Sequence, residues 1–94
     1  MVDRQQFLVR ARLETQTLEA YIREEWVIPQ REGGLEEFSD ADVARAHLIR
    51  NLQADIGVND EGVSVILHLI DQLHGLRRTL QDVLQKRSAS TTKD

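Results

Sequence analysis

Cysteine is missing from the 94 residues, which excludes disulfides and thiolate-bound metal. No apolar run is long enough to span a bilayer and no signal peptide opens the chain, so no membrane association and a cytoplasmic location are expected. A positive surplus is missing too. The formal charge of −4 has the wrong sign for a broad electrostatic grip on nucleic acid, although a local basic patch is compatible with it. Histidine occurs at positions 47, 68 and 74, but His68 and His74 fall on different faces of one helix, with no paired carboxylate at ligand spacing around both. No metal site is expected. Ser64 has no histidine or lysine placed to activate it, the glycines fit no phosphate-binding pattern, and nothing points to a carboxylate pair in a cleft. The chain is therefore expected to be no enzyme and to hold no cofactor.

There is no internal repeat, and the length suits one small domain, a size that buries only about 60–65% of the surface its unfolded chain would expose. The stretch around which the rest is organised runs from Asn59 to Arg87. Ile66, Leu69, Leu73, Leu76, Leu80 and Val83 recur there at heptad spacing. Its first half adds Val63, Leu67 and Ile70, a face wide enough for a globular core, while the narrow second half is the kind of seam two helices share. A homodimer held by Leu69, Leu73, Leu76, Leu80 and Val83 is expected. Asn59 can cap this helix, Asp60 and Glu61 suit its positive end, and Lys86 and Arg87 are placed in its last turn.

From the N-terminus, Asp3 followed by Gln6 resembles a capping box for a short helix from Arg4 to Arg12, whose apolar face is Phe7, Leu8 and Ala11. Glu14 or Thr15 can cap a second helix carrying Leu18, Tyr21, Ile22 and Trp26, so residues 4–26 read as a helix-turn-helix. Core spacing favours packing for Ile22 and Trp26, whereas Tyr21 can keep its hydroxyl at the surface. Pro29 ends that helical region, and the double glycine at 33–34 between two short extended runs makes residues 27–38 a hairpin, or wing. Ser39 with Asp42 starts a helix over 40–56 with Val43, Ala46, Ile49, Leu52 and Ile56 inward, and Gly57 stops it. The long helix covers 60–87 of a single domain spanning 1–87, and the small, polar tail 88–94 is expected to be disordered. The fold class is mainly α, a winged helix-turn-helix with a small β wing and a long C-terminal dimerisation helix.

That order resembles the MerR-type regulators. QTLEAYIREEWVIP, from Gln16 to Pro29, is similar to the MerR recognition helix leading into its wing. FSDADVARAHLIRNLQADIGVNDEGVSVILHLIDQL, from Phe38 to Leu73, resembles the CbpM family, small modulators of the J-domain co-chaperone CbpA. LQADIGVNDEGVSVILHLID, from Leu52 to Asp71, carries that likeness most specifically, and the whole extends from Gln6 to Leu84. The resemblance implies an antiparallel dimer.

The departures fall where DNA would be held. MerR regulators carry an arginine directly after the recognition-helix Thr-Leu and basic residues before the wing aromatic, because guanidinium groups grip phosphate. Here Thr17-Leu18 is followed by Glu19, and Phe38 by contrast is preceded by Glu36 and Glu37. Arg10, Arg12, Arg23 and Arg31 supply too little positive surface, so DNA binding is not expected. A CbpM-like role implies a non-enzymatic inhibitor that covers the basic helix a J-domain presents to its chaperone partner. The residues placed for this are Glu19, Tyr21, Arg23, Glu24, Glu25, Glu36 and Glu37, with Trp26 as a further apolar anchor. A solvated acidic face is the plainer alternative for the carboxylates, and a MerR-type transcription regulator is the alternative for the whole chain.

Overall fold

The computed structural model describes the backbone of residues 1–91 and the side chains of residues 1–87. Two compact units divide it, one from Met1 to Val63 and one from Ser64 onward.

In the first unit, the Asp3 carboxylate accepts from the Gln6 amide at 2.8 Å while the Gln6 side chain accepts from the Asp3 amide at 3.2 Å. This capping box starts α1 (Arg4–Ala11). Arg12 ends it in the left-handed region, at φ 56°, with its own amide donating to Val9 at 3.3 Å and the Leu13 amide to Leu8 at 3.0 Å. That is a Schellman stop, built on arginine where glycine is the usual choice. Helix α2 (Thr15–Arg23) follows, with Glu14 at the cap position but making no side-chain bond there. Leu18 and Tyr21 face the core, and Ile22 is half-buried.

Strands β1 (Gln30–Glu32) and β2 (Leu35–Glu37) pair antiparallel, with Arg31 opposite Glu36 and Glu32 opposite Leu35. Gly33 and Gly34 both have positive φ, at +59° and +81°, which a two-residue turn matched to the twist of a hairpin requires. The N-terminus also adds to this wing: Val2 and Phe38 exchange backbone bonds of 2.9 and 2.8 Å. Nothing in the local sequence pattern marks that pairing. It brings Phe38 over α1, where it stacks on Phe7 with ring centroids 4.3 Å apart.

A second capping box, Ser39 with Asp42, opens α3 (Asp40–Arg50). The helix then widens into a π-helical turn over Asn51–Ile56 before Gly57 stops it at φ +83°. Ala46, Ile49 and Leu52 are buried and Val43 is half-buried, but Ile56, expected on the inner face, is 71% exposed. The π turn accounts for this correction: its bonds span one residue more than those of an α-helix, so each residue of Asn51–Ile56 turns through a smaller angle and Ile56 falls out of phase with Ala46 and Ile49. Phe7, Leu18, Val27, Phe38, Ile49 and Val63 are the large, fully buried side chains of this unit.

Helix α4 (Asp60–Thr91) is capped by the Asn59 side chain, which accepts from the Gly62 amide at 2.8 Å. In the second unit Leu67 is buried and Ile66 and Ile70 are half-buried. Leu69, Leu73, Leu76, Leu80 and Val83 are all exposed, by 46% at Leu73 to 69% at Leu76. The helix passes the expected boundary at 87, so Lys86 and Arg87 do not lie in its last turn. Of the tail expected to be disordered, the backbone of Ser88 to Thr91 is helical, and residues 92–94 lie outside those described. The result is a mainly helical chain with a small two-stranded wing and a long C-terminal helix.

Candidate partner-binding face

Arg4 occupies the first position of α1, where the positive helix end disfavours a cation. It stands there because three elements meet around it. Its Nε and Nη2 donate to the two carboxylate oxygens of Glu36 on β2, at 2.8 and 3.0 Å, in the fork-to-fork geometry that suits guanidinium and carboxylate. Its Nη1 donates to Glu19 on α2. Arg31, opposite Glu36 in the hairpin, adds a longer contact of 3.4 Å to the same carboxylate. The hydrogen bond from Arg4 holds the Glu36 carboxyl below the usual glutamate range against the opposing effect of burial, and the Glu36 and Glu19 bonds raise Arg4 further above its ordinary value.

Glu19 and Glu36, two of the three carboxylates expected at phosphate-holding positions, are thus bound within the molecule. With Arg4 and Arg31 against Glu19 and Glu36, the cluster carries no net charge. Residues 2–85 match the MerR HTH family of regulatory proteins. The chain belongs to the MerR family. Curated proteins and solved structures give no match.

In this MerR-family chain α1 and α2 are the helix-turn-helix, β1 and β2 the wing, and Arg4 ties the wing to both helices. Local reading missed Arg4. The signal available was the one just noted, a basic residue at a helix start with no acidic residue in the first turn to excuse it. The remaining carboxylates of the expected face, Glu24, Glu25 and Glu37, have no ion-pair partner among the described residues. Glu24 and Glu25 are exposed at the end of α2, and Glu37 is half-buried at the end of β2.

Tyr21 and Trp26 are not exposed anchors. They are 4% and 5% exposed, with ring centroids 5.7 Å apart, and burial raises the Tyr21 hydroxyl above its ordinary pKa, with Arg50 opposing. Arg45 on α3 donates to the Trp26 carbonyl and so fixes the exit from α2. Tyr21, Arg23, Glu24 and Trp26 nevertheless share one feature. Together with Gln53 of the π turn and Asp60 they line an open concavity of about 530 Å³ in the first unit. Among the described residues no group of three metal-ligating side chains is placed to hold an ion, and none of the described helices is long and apolar enough to cross a membrane.

Two stability predictions follow from this geometry. Arg4→Met should destabilise the protein by about 1–2 kcal/mol at neutral pH, the worth of a charge-assisted pair discounted for its partial exposure. Because the folded Glu36 value is depressed, that stabilisation is present above the ordinary glutamate pKa of about 4.3 and is lost as pH falls through the folded value. Urea titrations of both proteins should therefore converge as pH drops below about 4. The second concerns Glu25, which holds φ +61° at the end of α2, where the Trp26 amide donates to Tyr21 at 2.9 Å and the Glu25 amide to Ile22 at 3.0 Å. Glu25→Gly removes the left-handed cost of a Cβ and should stabilise by about 0.5–1 kcal/mol, read as a raised melting temperature.

Proposed function

We propose that this MerR-family chain is a non-enzymatic, dimeric modulator that binds the basic helix of a CbpA-like J-domain co-chaperone and inhibits it, the role of the CbpM family it resembles. The observation that carries the reading is the Arg4 cluster. Positions from which a DNA-binding relative would reach phosphate carry Glu19 and Glu36, and the arginine nearest to them is committed to both. Such a face offers phosphate little attraction. Glu24, Glu25 and Glu37, which keep their charge uncompensated by any ion pair among the described residues, favour a cationic protein surface instead. The exposed leucine row of α4 supports self-association, antiparallel as the family likeness implies.

A second reading, a DNA-binding transcription regulator, is favoured by the family match itself. The two readings separate in one pair of measurements. Calorimetry with the J-domain protein of the same cell should give saturable binding in the micromolar range or tighter, and a gel shift with operator DNA should stay within the non-specific range of about 10⁻⁴ to 10⁻⁶ M at physiological salt. Sequence-specific DNA binding at nanomolar concentration, with no J-domain binding, selects the regulator.

A further inference from the structure

The concavity beside α2 is not part of the Arg4 cluster, and its chemistry is of another kind. Its wall includes Tyr21 and Trp26, both largely buried. Glu24 and Asp60 contribute two carboxylates and Arg23 one guanidinium, so a cation entering it meets the greater number of opposite charges. One of the carboxylates is held in place: Gln53 Nε2 donates to Asp60 Oδ1 at 2.7 Å. Gln53 is the third residue of the π turn. Widened turns of this type occur disproportionately at functional positions in helices.

We propose that this concavity receives one arginine side chain of a bound partner protein, its guanidinium between Glu24 and Asp60 and its stem against Trp26 and Tyr21. The inference rests on the reading of the chain as a protein-binding module and names the anchor that reading lacks. Arginine fits better than lysine for two reasons. Its planar group is weakly hydrated and so loses less on leaving water, and its fork of donors can serve two carboxylates at once. Arginine set beside aromatic residues is also where interface energy concentrates. A volume of about 530 Å³ exceeds one side chain and leaves room for the backbone that presents it.

The test uses the intact protein and needs no partner. Trp26 is the sole tryptophan, so its indole signal in nitrogen-proton NMR is a unique reporter of this wall. N-acetyl-arginine methylamide should shift the Trp26 indole and the Gln53 side-chain amide saturably, with a dissociation constant in the millimolar range, and the lysine analogue should bind at least about fivefold more weakly. Glu24→Gln and, separately, Gln53→Leu should each weaken the arginine probe by about tenfold while leaving thermal unfolding close to the parent value. The proposal is overturned by an unmoved Trp26 signal at about 100 mM probe, by equal response to the lysine analogue, or by inorganic phosphate shifting the same signals through Arg23. J-domain binding with a silent arginine probe would remove this anchor and leave the modulator reading standing. A responsive probe with no J-domain binding would do the reverse.

Discussion

Leu76→Asp combined with Leu80→Asp is expected to abolish the self-association proposed for the α4 leucine row and leave a monomer. Both side chains lie in the middle of the α4 row, 69% and 58% exposed, and Leu69, Leu73 and Val83 continue that row at the same heptad spacing. Full burial of such a side chain is worth about 1.5–3 kcal/mol and these are 46–69% exposed, so about half of that is available at each. Over five residues in each of two copies this is enough to offset an association cost in the lower part of the range of about 4–15 kcal/mol. An aspartate at either position would have to lose its water against apolar neighbours, which opposes pairing more strongly than a missing methyl group would. Within the single chain the same substitutions should matter little, because surface changes away from packed features usually alter stability by less than about 0.5 kcal/mol. Sedimentation at tens of micromolar distinguishes the outcomes. A monomeric parent, or a double variant that still dimerises, would assign the leucine row to some other partner.

The second large effect is on partner binding, and here the geometry changes which residues to alter. Glu19 and Glu36 are engaged with Arg4, so reversing them would disrupt the joint between α1, α2 and the wing and confound binding with folding. Glu24, Glu25 and Glu37 have no such tie among the described residues. Changing these three to lysine adds two charge units at each, moving the formal charge from −4 to +2. Association with a basic J-domain helix should weaken by about 2–4 kcal/mol, since like charges set against each other cost more than an absent pair. Circular dichroism and thermal unfolding should stay close to the parent. Parent binding should itself weaken as salt rises from about 50 to 500 mM, mainly through a slower on-rate. Non-specific DNA binding should move the other way, becoming tighter in the triple variant because three lysines add attraction for phosphate. Full J-domain affinity in that variant would leave these carboxylates as a solvated surface.

The features readable before any coordinates were those whose cause is local. Asp3 with Gln6, Ser39 with Asp42 and Asn59 with Gly62 satisfy helix-start amides three residues away, so residue type and spacing suffice to mark them. The double glycine at the wing turn and the leucine spacing of α4 are legible for the same reason, because each follows from backbone geometry repeated over a few residues. The family likeness, in turn, rests on strings of this kind.

Other properties depend on which distant groups the folded chain brings together. Arg4 is 15 positions from Glu19 and 32 from Glu36, and no periodicity links them, so a face that reads as acidic along the chain is neutral where Arg4 closes on it. Tyr21 has the spacing of a core residue and the hydroxyl of a surface one. Burial beside Trp26 settles that conflict. Ile56 keeps the helical spacing yet points to solvent, since the widened turn changes the phase and spacing alone cannot report a change in residues per turn. Local pattern determines where helices, caps and turns form because their bonds close within a few residues. The charge a surface presents depends on contacts made across the chain, which exist only once those elements have packed.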